Sequence, residues 1–239
     1  MNGEALSRFL ENPPLLWRED LPIQTSVLHK LTKYAKQGSL TLETGGGVTT
    51  VCFAAIGCEH TCIEPNSQIC ERIKDYCREN LISLDGVRFI IGKSQDYLPS
   101  LDLGGKRLDL ALIDGSHTFP IPIVDYFYID ANLKVGGILV VDDLFIRSVG
   151  TLHKFLLTEP AYELITIDHT KTGIYHKIAE TKYSSGWTRQ RYNSPHPDLS
   201  HLRLRRRVPQ KLAIVFKMEN SKLTQWAHKV FQVMGWELK

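Results

Sequence analysis

Four short segments hold residue types that can do chemistry at a single site. In Glu43-Thr44-Gly45-Gly46-Gly47-Val48-Thr49-Thr50, three successive glycines separate one apolar run from the next. Glycines at a strand-to-helix junction let the backbone approach a ligand, and the helix start offers unpaired N–H groups to an anion. Glu64 follows Glu43 by 21 positions. A carboxylate at that offset, at the end of the next strand, can accept both hydrogen bonds of a ribose diol. The plainer readings are a tight turn and a solvated strand-end acid; together, the two features favour a ribose-bearing cofactor. A dinucleotide fingerprint would put a further glycine at position 50, where Thr50 stands, so the full NAD signature is missing.

The other two segments end in carboxylates. Asp114 follows the apolar run Leu108 to Ile113, and Asp142 and Asp143 follow Ile138 to Val141. On neighbouring parallel strands, about 4.8 Å apart, the three acids converge at one carboxyl edge and repel one another. A divalent cation such as Mg2+ held by Asp114, Asp142 and Asp143 would relieve that cost and lower the pKa of a substrate hydroxyl. Alternatively no metal binds, Asp114 sits near a cationic part of the cofactor, and Asp143 caps the next turn. His117 lies three residues beyond Asp114. An imidazole of pKa about 6.5 suits removal of a proton from a hydroxyl, although a loop histidine can equally pack or orient substrate.

These residues need a sheet to gather them. Val27, Leu31, Tyr34 and Ala35 recur at helical spacing ahead of Gly38. Ser39 to Glu43 then reads as a strand, Val48 to Ile56 as a helix and Glu59 to Glu64 as a second strand, which is a βαβ unit. Asn66 or Ser67 can cap a helix with Cys70, Ile73 and Cys77 on one face, ahead of a third strand at Val87 to Ile91. Leu108 to Ile113 is nearly continuous in apolar residues, as expected of a strand covered on both faces. A helix from about Pro122 to Leu133 and a strand at Ile138 to Val141 complete the alternation. Tyr162 to Ile167 and Gly173 to Ile178, joined by the turn residues Asp168 to Thr172, fit an antiparallel hairpin. The expected fold is α/β, a Rossmann-like doubly wound and mostly parallel sheet closed by that hairpin, with a C-terminal extension.

With these motifs in place, the chain resembles the class I S-adenosylmethionine-dependent methyltransferases from about Thr25 to Ile178. The resemblance rests on Glu43, Gly45, Gly47 and Thr49 as a first motif and on Glu64 as the ribose acid. It also rests on Asp109 to His117 at the fourth strand, and on Leu133, Gly136 and Gly137 ahead of Asp142 and Asp143 at the fifth. The variety it looks most like is the catechol O-methyltransferase-like group and related bacterial small-molecule enzymes. That resemblance implies that Gly45 to Gly47 pass beside the methionine part of S-adenosylmethionine, that Glu43 helps hold its ammonium group, and that Ser94 and Gln95 flank the adenine. It implies a general base at His117, with Asp114 beside it, and a metal at the strand-end acids, although the last position there is usually an amide. Methyl transfer to a small-molecule acceptor, most readily at a hydroxyl, is the expected reaction. The rivals are an NAD-dependent oxidoreductase on the same fold and a cofactor-binding or nucleic-acid-associated protein.

Composition agrees with a globular chain. Of 239 residues, 43% are hydrophobic and 23% charged, and no apolar run reaches the length of a membrane span. Five cysteines fall between Cys52 and Cys77, an odd number with no disulfide pattern. Cys58-Glu59-His60-Thr61-Cys62 matches no common zinc spacing, so buried thiols are the better reading. The N-terminus lacks the pattern of a secretory signal, and a cytoplasmic protein is expected. Net charge is +3, but residues 186–211 alone carry +6, leaving −3 for the rest. Arg203, Arg205, Arg206 and Arg207 there alternate partly with leucines, which favours a lid or interface arm over nucleic-acid binding, since no aromatics are interleaved for base stacking. Leu212 to Phe216 can add a strand, and Leu223, Trp226, Ala227, Val230, Phe231 and Met234 form the apolar stripe of a helix that must pack on this domain or on a second subunit of a homo-oligomer. The chain thus divides into an N-terminal segment and helix (1–38), a methyltransferase core (39–179), and a basic extension with a C-terminal helix (180–239).

Overall fold

The computed structural model describes residues 3–14, 24–183 and 190–193. Two helices, α1 (Gly3–Glu11) and α2 (Thr25–Tyr34), precede the first strand, β1 (Leu40–Thr44). The glycine segment then turns into α3 (Val48–Ile56), which stops where Gly57 takes up the left-handed conformation at φ +82°. Next come β2 (Glu59–Glu64) and α4 (Ser67–Glu79), whose cap is Asn66: its side chain accepts a hydrogen bond from the Gln68 N–H at 3.0 Å. β3 (Val87–Ile91), the short α5 (Ser94–Tyr97), β4 (Leu108–Ile113), α6 (Ile121–Asn132) and β5 (Leu133–Val141) follow. Finally α7 (Arg147–Thr158) leads into the hairpin of β6 (Tyr162–Asp168) and β7 (Thr172–Lys177).

The seven strands lie in the order β3-β2-β1-β4-β5-β7-β6. β1 to β5 pair in parallel, and β7 runs antiparallel to both β5 and β6. The order reverses between β1 and β4, and in open sheets of this kind ligands bind at the carboxyl ends beside such a reversal. Successive side chains of the central strands feed opposite cores. Leu110, Leu112 and Val140 pack with Phe9, Leu28, Leu31, Val51, Phe53 and Ile73 under one helical layer. Ala111, Ile113, Leu139 and Val141 pack with Tyr126, Ile129, Val149, Leu152, Leu156 and Tyr162 under the other. Burial on both faces is why these strands read as continuous apolar runs.

The sheet and its closing hairpin match the expected fold. α1, α5 and α7 add helices that the sequence reading passed over. In α7 the apolar positions Val149, Leu152 and Leu156 do recur helically, but Gly150 and the lack of a capping side chain at Ile146 weaken the pattern. β5 begins at Leu133 rather than Ile138, because Leu133 pairs with Leu108 across an irregularity in the ladder. The arginines at 203–207, the possible strand at 212–216 and the C-terminal helix lie outside the described residues. Among the described residues no helix is long and apolar enough to cross a membrane.

Candidate active site

At the end of β1, Glu43 is fully buried and aims at the underside of the glycine loop. It accepts hydrogen bonds from Thr49 Oγ1 at 2.5 Å and from Thr50 Oγ1, and His60 Nε2 lies 3.2 Å from it. His60 is itself held by Thr41 Oγ1 at 2.8 Å and stacks on Phe53. The Thr50 hydroxyl also accepts the Gly47 N–H at 3.0 Å. The side chain that breaks the dinucleotide fingerprint is thus the one that ties the loop to Glu43, a role a glycine cannot fill. Between them, Thr49, Thr50 and His60 engage both Glu43 oxygens.

Gly45 must be glycine. Its φ is +83°, and a Cβ there would stand 2.3 Å from the Asp114 carbonyl oxygen. This close approach welds the loop to the end of β4, where the Asp114 N–H donates to the Thr44 carbonyl at 3.0 Å. Glu64, at the end of β2, accepts the Gly46 N–H at 2.9 Å and the Asn66 N–H at 2.7 Å. Burial pushes its carboxyl up, and the two N–H donors work against that shift. Ser94 and Gln95 open α5 directly after β3, with Ser94 buried. Asp125 of α6, unnoticed in the sequence, is buried too; burial pushes its carboxyl up, and the Ser94 and Thr44 hydroxyls partly offset this.

The acids of β4 and β5 meet as the strand order requires, but not as three equivalent ligands. His117 Nε2 lies 3.8 Å from Asp114 Oδ1 and 3.5 Å from Asp143 Oδ2. That nitrogen is buried and completes no hydrogen bond. The Ser148 hydroxyl of α7 donates to the His117 carbonyl and so fixes the loop. Among the described residues, Asp114, His117 and Asp143 form the group of potential metal-ligating side chains whose ligand atoms all lie within 4.8 Å of one another. The Cys58 to Cys62 segment contributes nothing to it, and all five thiols are free and buried. Asp143 reaches the group because its backbone is left-handed, at φ +59°. Burial pushes the Asp114 carboxyl up to about 7; His117 opposes the shift, and Asp142 and Asp143 add to it. In return Asp114 holds the His117 imidazole above its ordinary 6.5, against the effect of burial.

Asp142 turns the other way. It accepts from the Thr172 hydroxyl, and its Oδ2 lies 3.2 Å from Lys171 Nζ. Lys171 is only 7% exposed and stands 3.3 Å from Asp143 Oδ1 as well. Its position comes from the β6–β7 turn, where His169 and Thr170 both adopt positive φ and the Lys171 N–H donates to the Asp168 carbonyl at 2.9 Å. Sequence reasoning missed this residue. The turn itself was legible, but only the antiparallel pairing of Val141 with Gly173 shows that it folds back onto the β5 acids.

Residues 42–144 match the model of a family described as a methyltransferase domain. No curated protein matches the chain in sequence. Among solved structures, the O-methyltransferase TomG from Streptomyces achromogenes, involved in tomaymycin synthesis and determined with S-adenosylmethionine, aligns with a TM-score of 0.60 at 19% identity, covering 74% of this chain and 90% of that one. Cofactor-bound Rv0187 from MTB aligns with a TM-score of 0.58 at 16% identity, over 73% of this chain and 89% of its own. An rRNA methylase from Streptococcus thermophilus aligns at 0.53 and 12% identity, over 68% of this chain and all of its own. At such identities the structures establish a shared fold. The residues that match a methyltransferase domain thus include the glycine loop, Glu64 and the acids of β4 and β5, on a fold shared with cofactor-bound methyltransferases.

Proposed function

We propose that the chain transfers the methyl group to a hydroxyl oxygen of a small-molecule acceptor, with His117 as general base. The observation that carries this reading is the His117 Nε2 atom, buried without a hydrogen-bond partner beside Asp114 at the edge where the glycine loop ends. When bound, S-adenosylmethionine supplies an electrophilic methyl on a sulfonium, which is displaced in line by the acceptor oxygen. Around it Glu64 would accept from the ribose, Ser94 and Gln95 would border the adenine, and Asp114 would face the ammonium. Glu43 would act from below, by holding Thr49 and Thr50 and so the shape of the loop. His117 takes the acceptor's proton as the new oxygen–carbon bond forms, and the sulfur keeps the electron pair of the broken bond.

Phe119 and Phe145 lie two residues beyond His117 and Asp143, with exposures of 66% and 61%. Such rings suit a flat, apolar acceptor. Kinship of fold with TomG, an O-methyltransferase, supports oxygen as the methylated atom. The rRNA methylase shares the fold at 12% identity, and a fold by itself does not favour a nucleic-acid acceptor. Five free thiols support a reducing compartment such as the cytoplasm.

Mg2+ suits this pocket poorly. It demands near-octahedral oxygen ligands, whereas Asp142 is engaged by Thr172 and Lys171, Asp143 faces an ammonium, and the group left beside Asp114 is an imidazole. His117→Ala should lower kcat by roughly 10²- to 10⁴-fold in a methyl-transfer assay over a panel of phenolic and aliphatic hydroxyl acceptors, and leave S-adenosylmethionine affinity by calorimetry unchanged. Glu64→Ala should do the reverse, weakening that affinity by about 1.5 to 3 kcal/mol. Full activity in the His117 variant would remove the base assignment.

A further inference from the structure

The two acids that follow β5 already have a cation. Lys171 Nζ sits 3.2 Å from Asp142 Oδ2 and 3.3 Å from Asp143 Oδ1, nearly excluded from solvent. Its backbone is clamped on both sides. The Lys171 N–H closes the turn to Asp168, and the Lys171 carbonyl accepts the Leu144 N–H at 2.8 Å, one residue beyond the acid pair. These bonds fix the backbone from which the side chain reaches the acids, and burial with two carboxylates beside it favours the ammonium staying there. A divalent ion coordinated by Asp143 would stand close to that fixed ammonium, and the repulsion in so buried a place is large.

We propose that Lys171 is the resident cation of this pocket: it takes the place at Asp142 and Asp143 that a divalent metal would take, and it frees the transfer reaction from a metal requirement. The inference rests on the methyltransferase reading of the same pocket. Lys171 is a positioning residue here. By neutralising Asp142 and Asp143 it holds Asp143 beside His117, and it leaves the imidazole, rather than a metal, to deal with the acceptor's proton.

The test is a Mn2+ titration followed by electron paramagnetic resonance, with S-adenosylmethionine binding measured by calorimetry on the same samples. The wild-type protein should bind S-adenosylmethionine and show no saturable Mn2+ binding in this pocket. Lys171→Met, which keeps the length of the side chain and removes its charge, should raise Mn2+ affinity by at least roughly tenfold, whereas Lys171→Arg should behave like wild type. Saturable Mn2+ binding by the wild type that is lost in Asp143→Asn overturns the proposal, as does an unchanged Mn2+ affinity in a folded Lys171→Met protein. If the methionine variant does not fold, the wild-type titration decides alone. Failure of S-adenosylmethionine to bind the wild type would instead count against the methyltransferase reading and is read separately from the Mn2+ signal.

Discussion

Asp114 and His117 stand 3.8 Å apart and each biases the charge of the other, so their titration belongs to the pair. Burial lifts the Asp114 carboxyl to about 7, and Asp114 in turn lifts the His117 imidazole above 6.5. A base must be unprotonated to act. Activity is therefore present above the pair's apparent pKa and falls as the pH drops through it, and the acid limb of kcat/KM for the acceptor should lie above 6.5. Asp114→Asn removes the negative partner, so the imidazole gives up its proton more readily and the limb should move to lower pH. A pH profile of the two proteins at saturating S-adenosylmethionine checks this. An acid limb that stays in place would mean that another group titrates.

Among the elements, the junction of β1 with α3 does the most with the fewest residues. Its loop is shaped from below by the Glu43 contacts and from the side by the close approach of Gly45 to Asp114. Gly45→Ala would set a methyl group against a carbonyl oxygen that belongs to a neighbouring strand and cannot yield as a flexible side chain would. A residue with a Cβ also disfavours this φ. The substitution should destabilise the protein by about 1 to 3 kcal/mol and weaken S-adenosylmethionine binding by more than roughly tenfold; thermal unfolding with and without the cofactor reads both effects. The motif was legible here because glycines and acids stand at short, regular spacings. The contacts that support it were less so. His60 and Glu43 are separated by 17 positions and meet only because β1 and β2 pair in parallel with Thr41 opposite His60.

Over the whole molecule, the closing hairpin is anchored by a buried charge network far from the glycine loop in sequence. Lys177, fully buried at the end of β7, lies 3.0 Å from Asp130 Oδ1 and donates to the carbonyls of Asp130 and Leu133 at 2.7 and 3.0 Å. Tyr162 and Tyr183 donate to the same Asp130 carboxylate at 2.6 and 2.8 Å. Asp130→Ala would take the buried carboxylate from the ammonium and two phenols, and should cost about 3 to 5 kcal/mol in urea denaturation, while the double change of Asp130→Leu with Lys177→Met should recover part of that loss. The hairpin held this way is the one that carries Lys171 to the active site, so the anchor and the pocket share one element.

Much of this protein was settled along the chain itself. The alternation of strands and helices, the glycine loop after β1, Glu64 one strand later and the acids at the ends of β4 and β5 follow from residue type and short-range spacing, because each strand and helix announces itself locally and parallel crossovers admit few topologies. Tertiary structure decided how the charges are shared out. Asp142 is turned away from Asp114 toward Thr172 and Lys171, and His117 rather than Asp142 completes the close group with Asp114 and Asp143. The reason is a pairing across about thirty residues: β7 runs antiparallel beside β5, and its turn returns a lysine to the acids. Local spacing carries no record of such a long-range register, and the charge balance of the site depends on it.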